Sequence, residues 1–279
     1  MTEVDLHMHT TASDGMNRPS ENVRMALEAG LSAIAITDHD TVAGYVEAAQ
    51  AGQTLGITVV PGVEISTVAE GQDIHILGYY IDVNDERLLE RLRQLRSTRE
   101  NRNAMLLERL RELGLDITIE EVIEQAGKSA SGDETIGRPH IASVLVSKGY
   151  VASVHEAFDR YLGKGGAAYV NPPRVSPFEA VDWIHEAGGA AVVAHPGLYQ
   201  ADELVERIVR HGADGIEAFH SDHTPEDESR YAEMAARLQV LVTAGSDFHG
   251  ERNGHELHAP IGSRRIGAHV LEQLKARAK

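Results

Sequence analysis

The chain has no cysteine. Disulfides, thiolate metal sites and a cysteine nucleophile are therefore excluded, and a cytoplasmic location is permitted. It has no apolar run approaching the ~20 residues that span a bilayer, so no membrane association is expected. The N-terminus lacks a basic-then-apolar leader, since Met1-Thr2-Glu3 is already acidic. Basic residues are few: 26 Lys and Arg stand against 43 Asp and Glu, a formal charge of −17 over 279 residues. Such a surface repels the nucleic-acid backbone and disfavours a general binder of long duplexes. With 25% charged residues and ordinary Gly and Pro counts, disordered and collagen-like classes fall away. The length suits one large domain, or a domain carrying an insertion. What is abundant is histidine, 15 residues in an acidic chain.

Short apolar runs alternate with helical patterns from the start. Residues 4–6 predict a strand, and 20–29 a helix opened by Pro19 and closed by Gly30. A strand over 31–37, a helix over 42–55 and strands over 57–60, 63–66 and 74–81 follow. Beyond residue 175, helices over 177–187, 202–210, 226–238 and 267–277 alternate with strands over 190–194, 215–219 and 240–243. Strands separated by helices imply βαβ units and a parallel sheet, here enough units for a closed or nearly closed α/β barrel. Residues 84–172 break the rhythm: helices are predicted over 85–113, 120–126, 139–148 and 153–162, with Gly-containing joints at 127–137 and 163–166. The expected organisation is a barrel built from 1–83 and 173–279 with a helical cap inserted over 84–172.

Ligand-type residues recur where the apolar runs end. The first strand leads into His7-Met8-His9 and then Asp14; in extended backbone, residues i and i+2 share a face. The second ends in Thr37-Asp38-His39-Asp40, the third leads through Pro61-Gly62 to Glu64, and the next carries His75. Later strands end in His195 and in Ser246-Asp247-Phe248-His249. In α/β barrels the C-terminal rim is where active sites are built. Six His, one Glu and two Asp are more ligands than one ion uses, and imidazole plus carboxylate without thiolate suits Zn²⁺, Mn²⁺ or Fe²⁺. A lone His-x-His would be read as two solvated loop residues; the recurrence at successive strand ends points to a multinuclear site.

The series His7-x-His9, Asp14, Thr37-Asp38-His39, Gly62-x-Glu64, His75, Ala194-His195-Pro196 and Ser246-Asp247-x-His249 resembles the PHP family, the polymerase and histidinol phosphatase phosphoesterases. The resemblance implies a distorted seven-stranded TIM-like (β/α) barrel with two to three divalent ions, Mn²⁺ foremost. It assigns His7, His9, Glu64 and Asp247 to one ion, Glu64, His75 and His195 to a second, and Asp14, His39 and His249 to a third. Many members carry His where Asp14 stands. In the cap, Arg99-x-x-Arg102-Asn103 and Gly137-Arg138-Pro139-His140-Ile141-Ala142 are similar to the branch that hydrolyses 3′,5′-nucleoside bisphosphates and includes a 5′→3′ exoribonuclease.

The pattern of the long helix agrees with that branch. Its apolar stripe runs Leu88, Leu92, Leu95 and resumes at Leu106, Leu110, Leu113, with Arg99 and Arg102 on the same face and Asn103 beside them. An Arg in an apolar stripe faces an anion or a carboxylate. Residues 87–111 hold eight Arg against three Glu; Arg91, Arg93, Arg109 and Arg111 read as a solvated face. Arg138 and His140 open a helix, where they meet either a substrate phosphate or, for Arg138, a capping Asp133 or Glu134. Asn171 and Arg174 lie where cap rejoins barrel and are expected to face the cleft. His220 is a candidate for the rim; His223 is expected to be exposed, and His155, His185, His211, His255, His258 and His269 are assigned to the surface.

The expected reaction is metal-assisted hydrolysis of the 3′-phosphate of a nucleoside 3′,5′-bisphosphate, or of a short 5′-phosphorylated oligoribonucleotide, by a metal-bridging hydroxide. Asp14, His39, Glu64 and His220 carry the catalytic roles, His220 and Asp40 being secondary choices for the general acid. Arg99, Arg102, Asn103, Arg138, His140, Asn171 and Arg174 hold the nucleotide. The expected partner is this small substrate, bound by a monomer or weak oligomer. The alternatives are a histidinol-phosphate phosphatase of the same family and a metal-holding module without turnover.

Overall fold

In the computed structural model of the chain, residues 2–127, 135–170, 172–252, 255–256 and 258–279 are described. Asn171, Asp133 and Glu134, and the side chain of His255, lie outside this set. The elements run β1 (Glu3–Asp5), α1 (Pro19–Glu28), β2 (Ala33–Ile36), α2 (Tyr45–Leu55), β3 (Thr58–Ala69) and β4 (Gln72–Tyr79). Four helices follow, α3 (Glu86–Glu112), α4 (Ile119–Ala126), α5 (Arg138–Ser147) and α6 (Val154–Ala157), the last running into a π-helical turn, Phe158–Leu162. Then come α7 (Pro177–Glu186), β5 (Ala190–Val193), a 3₁₀ turn (Pro196–Leu198), α8 (Asp202–His211), β6 (Gly215–His220), α9 (Pro225–Leu238) and β7 (Leu241–Gly245). Two short strands, β8 (Glu251–Arg252) and β9 (His255–Glu256), pair with each other, and β10 (Ile266–Gly267) precedes α10 (His269–Arg277).

The large sheet has the order β10-β1-β2-β3-β4-β5-β6-β7. Leu6 N–H donates to Ala244 O at 3.0 Å and Met8 bridges Phe248, so the β7 edge returns to β1 and the barrel is nearly closed. Side chains alternate as the pleat requires. Ala33, Ala35, Val60, Leu77, Ala190, Val192 and Ala194 fill the interior with Val4, Leu6 and Tyr79. The small residues fit a narrow barrel, and Val270 and Leu274 of α10 join the same cluster. Ile34 and Ile36 face outward to α1 and α2, while Ile74, Ile76, Ala191 and Val193 face α7 and α8.

The α/β barrel is as expected, but the sheet is not wholly parallel. The two predicted strands over 57–66 are one 12-residue strand that runs through Pro61-Gly62. It turns at Glu70 and Gly71, both at positive φ, and returns as β4, antiparallel to β3 and also to β5. A two-residue loop of this kind carries the twist of a hairpin. The reversal matters to the rim: His75 stands at the beginning of its apolar run rather than the end, yet pairs across from Ser66 at the same level.

Helix α3 serves two apolar clusters. Leu88, Leu92 and Leu95 pack with the barrel, whereas Leu106, Leu107 and Leu110 pack with Val122, Ile141, Leu145, Leu162 and their neighbours in the helical segment. Arg99, Arg102 and Asn103 are buried at the junction of the two.

Candidate active site

The strand ends gather nine side chains into one cleft. Glu64, fully buried on β3, is the hub. Its Oε1 lies 2.8 Å from His75 Nδ1 and 3.0 Å from His195 Nε2; its Oε2 lies 2.8 Å from His39 Nδ1 and 3.2 Å from His9 Nε2. Asp247 Oδ1 stands 3.2 Å from His7 Nε2 and 3.1 Å from His9 Nε2, and Asp14 Oδ1 stands 3.2 Å from His249 Nε2. Two donors on one ion at ~2.1 Å in tetrahedral array lie about 3.4 Å apart, so these spacings suit shared ions. The donors group accordingly: His9, Asp14, His39 and His249 keep one ligand atom each within 4.8 Å of one another, as do His7, Glu64 and His195, and His39, Glu64 and His75. Buried polar atoms are normally hydrogen-bonded, yet Asp14 Oδ1, His39 Nδ1, Glu64 Oε2 and Asp247 Oδ1 have no such partner among the described residues. Lone pairs that converge without a proton between them are what a cation would satisfy, and the residues present fit divalent ions.

The electrostatics agree. Burial alone would raise the Glu64 carboxyl, but the imidazoles of His75, His39 and His7 outweigh it and hold it well below the usual range. Burial also holds His195 at about 4, a neutral ring with a lone pair to give. Four residues at this rim, Asp40, His195, Asp247 and His258, take positive φ, at 55°, 27°, 53° and 60°. Such non-glycine conformations persist where the surroundings enforce them, and they cluster at functional sites.

A second tier fixes the rings. Glu217 on β6 points inward, fully buried; its carboxylate receives His7 Nδ1–H at 3.0 Å and the His195 backbone N–H at 2.8 Å. That bond leaves His7 Nε2 as the acceptor facing the cleft. Asp38 accepts from Thr10 N, Thr10 Oγ1 and Ser13 Oγ at 2.8, 2.7 and 2.5 Å, and so ties down the loop bearing His9 and Asp14. Gly245 permits the closest approach: a Cβ there would stand 2.1 Å from His7 Cβ.

Beside this cluster four guanidiniums converge. Arg99 Nη2 donates to Asp40 Oδ2 at 2.5 Å and to Ser66 Oγ at 2.6 Å. Arg138 donates to Asp73 Oδ2 at 2.7 Å, and Arg174 takes the other oxygen of the same carboxylate. Arg102, only 3% exposed, donates to Asn103 Oδ1 at 3.1 Å and meets no carboxylate among the described residues. Burial, with Arg99, Arg138 and Arg174 near by, pushes its pKa well below the ordinary value. Burial would raise the Asp40 carboxyl, but Arg99 lowers it further. All four arginines line the cleft together with Asp14, His39, Glu64, His75, His195, Asp247 and His249.

Residues 5–124 match the PHP domain family. Over 252 residues the chain is 36% identical to the 5′-3′ exoribonuclease Rnm of Escherichia coli, covering 88% of this chain and 84% of that one. The chain belongs to the PHP family. This PHP protein is also similar to the 3′,5′-nucleoside bisphosphate phosphatase of Chromobacterium violaceum, 35% identical over 91% of this chain and 90% of that one. A third relative is the phosphoribosyl 1,2-cyclic phosphate 1,2-diphosphodiesterase of Eggerthella lenta, 34% identical over 88% of this chain and 94% of that one. The crystal structure of a protein assigned as a metal-dependent phosphoesterase, from Bifidobacterium adolescentis, superposes with a TM-score of 0.90 at 33% identity, covering 99% of this chain and 96% of that one.

The remaining candidates in this PHP protein have partners of their own, and one expectation, the exposure of His223, needs correcting. Arg138 meets Asp73 of β4, while the alternative partners Asp133 and Glu134 lie outside the described residues. His140 is buried and its Nδ1 accepts the Gly137 N–H at 2.9 Å, so that nitrogen caps α5. Asn103 spends its amide on Ile136 O at 2.8 Å and on Arg102, and so positions its neighbours. His223 is buried rather than exposed: its Nε2 accepts from Gly197 N at 3.0 Å and its Nδ1 faces Ala218 O. His258 is exposed, as expected, and also lines the cleft, 2.7 Å from Asp222 and 3.7 Å from Asp247. His220 is wholly buried 3.4 Å from Asp247 Oδ2, and groups with His7 and Asp247. Glu217 and Asp73 were not anticipated at all. The signal for Glu217 was available: a carboxylate inside an apolar strand, GIEAFH, must have a buried partner.

Proposed function

We propose that this PHP-family metal-dependent phosphoesterase removes the 3′-phosphate from nucleoside 3′,5′-bisphosphates, such as adenosine 3′,5′-bisphosphate, and degrades short 5′-phosphorylated oligoribonucleotides from the 5′ end. The observation that carries this reading is the pairing of an imidazole–carboxylate cluster with an arginine pocket that is short of anions. Among the described residues Arg99 meets Asp40, Arg138 and Arg174 share Asp73, and Arg102 meets no carboxylate. That buried cation is what a phosphate monoester, −1.5 to −2 at neutral pH, would neutralise. The site is thus suited to substrates with two phosphoryl groups, one at the cluster and one at the arginines. The names of two relatives, the exoribonuclease and the bisphosphate phosphatase, support that choice.

His7, His9, Glu64 and Asp247 would hold one ion, Glu64, His75 and His195 a second, and Asp14, His39 and His249 a third, with Mn²⁺ the first choice. When bound, such ions lower the pKa of coordinated water and neutralise phosphate oxygens. Arg102, which meets no carboxylate among the described residues, takes the remote phosphate with Arg99, Arg138 and Arg174, which fixes the reacting phosphorus. Glu217 keeps the His7 tautomer, and His220 steadies Asp247 from behind. A second reading, a cyclic phosphodiesterase acting on a phosphorylated ribose, is favoured by the Eggerthella relative, because the same pocket suits a 5-phosphate without a base.

The test is product release by the Mn²⁺-loaded protein: nucleoside 5′-monophosphates from a 5′-phosphorylated oligoribonucleotide, and inorganic phosphate from adenosine 3′,5′-bisphosphate, phosphoribosyl 1,2-cyclic phosphate and histidinol phosphate. The expected substrates are the oligoribonucleotide and adenosine 3′,5′-bisphosphate. Turnover of histidinol phosphate alone would overturn the proposal, turnover of the cyclic compound alone would select the second reading, and no turnover would leave a metal-holding module.

A further inference from the structure

We infer that Leu198 and Phe158 form the seat of the substrate's nucleobase, which is held by its face and not read at its edges. This rests on the proposed nucleotide substrate. The cleft measures about 210 Å³, below the ~300 Å³ at which pockets enclose a drug-sized ligand. If the cluster and the arginines take the two phosphoryl groups, the base must leave the enclosed part and lie on the wall. Among the described lining residues only Pro139, Phe158 and Leu198 are apolar; the rest are ionisable, apart from Ser66. Ser66 Oγ is already engaged by Arg99 at 2.6 Å. Among the described lining residues no side-chain amide is present to read a base edge.

Leu198 is 49% exposed, a large apolar side chain that contributes to no core cluster. It is nevertheless rigidly mounted. It closes the 3₁₀ turn that begins one residue after His195, and its N–H donates to His195 O at 3.1 Å. The next residue, Tyr199, accepts the His75 N–H on its hydroxyl at 2.9 Å, and Tyr231 Oη donates to Pro196 O at 3.1 Å. An exposed leucine held in register with two ligand histidines is a contact surface. Phe158 opens the π-helical turn, a feature frequent at functional sites. The Arg138 guanidinium stands 5.9 Å from its ring centroid and is itself fixed by Asp73. A phosphate on Arg138 therefore brings the attached nucleoside to Phe158.

The readout is the ratio of kcat/KM for adenosine 3′,5′-bisphosphate to that for ribose 3,5-bisphosphate, measured on the Mn²⁺-loaded protein. The wild type is expected to prefer the nucleotide at least tenfold, and Leu198→Ser to cut that ratio about tenfold, chiefly through KM. That lies within the ~5- to 150-fold that a stacked base contributes. Phe158→Leu, which keeps the packing but removes the aromatic face, is expected to act in the same direction. Adenosine and uridine bisphosphates are expected to differ by only a few fold. A wild type indifferent to the base, a ratio unmoved by both substitutions, or strict selection of one base would each overturn the inference. Inactivity toward both compounds would instead overturn the proposed function on which it rests.

Discussion

Replacing Arg102 by Met should make the protein more stable and less able to bind phosphate. Arg102 is 3% exposed, with a hydrogen bond to Asn103 and no carboxylate partner among the described residues. An ion taken out of water costs several kcal/mol, and exchanging buried ionic groups for apolar ones of similar volume stabilises by about 1–4 kcal/mol. The Asn103 bond and the nearby charge of Asp73 offset part of that, so a gain of about 1–3 kcal/mol is expected for Arg102→Met. In a chain of this size that corresponds to a Tm increase of roughly 2–8 °C. The same change removes a charged donor from the phosphate pocket. Hydrogen bonds to charged groups contribute ~1.5–3 kcal/mol, so kcat/KM on adenosine 3′,5′-bisphosphate should fall about 10- to 150-fold. Differential scanning calorimetry with and without inorganic phosphate separates the two effects: wild type should be raised by phosphate, and the variant should start higher and respond less. A variant that melts lower, and is still raised by phosphate as much as wild type, would refute the view of Arg102 as an uncompensated anion receptor.

Glu217→Gln should weaken metal binding about 10- to 100-fold, read by isothermal titration with Mn²⁺, because it removes the charge and one of the two acceptor oxygens that serve His7 Nδ1–H and the His195 N–H. Gly245→Ala should cost on the order of 1–3 kcal/mol in urea denaturation and displace His7, since the added methyl would fall 2.1 Å from His7 Cβ. Acid should unfasten the helical segment from the barrel. Burial tends to raise the Asp40 carboxyl, yet Arg99 holds it below its ordinary value of 3.8. A depressed carboxyl contributes stability that is complete above its unfolded pKa and is lost as pH falls through the folded one. Urea midpoints should therefore fall below about pH 4, and less steeply in Asp40→Asn; an identical acid limb in the two proteins would count against the pairing.

The site was legible because its chemistry sits where strand signals stop. His7, His9, His39, His195, Asp247 and His249 each follow an apolar run, and a rim of such ends is a local property of sequence. His75 was found by residue type although its strand runs the other way, since the Glu70-Gly71 hairpin restores it to the same level. Glu217 was missed because its neighbours, Ile216 and Ala218, read as an uninterrupted buried strand. Asp73 was missed because nothing in its own vicinity announces partners at 138 and 174; that pairing exists only once the helical segment folds back over β4. Arg99 and Arg102 illustrate the middle ground. Their place in the apolar stripe was visible, while which of them would meet a carboxylate was not.

Helix α3, 27 residues long, spans about 40 Å at 1.5 Å per residue. Mechanically it is a lever whose fulcrum is the barrel near Leu92 and whose far end is gripped by the second apolar cluster around Leu110. Arg102 rides roughly 15 Å beyond the fulcrum, so a tilt of about 4° would carry its guanidinium some 1 Å off target. Misplacement on that scale can cost a hundredfold in rate. The leucines and isoleucines of the second cluster thus set the aim of the proposed phosphate pocket, and the demand for accuracy there reaches into a core of apolar side chains.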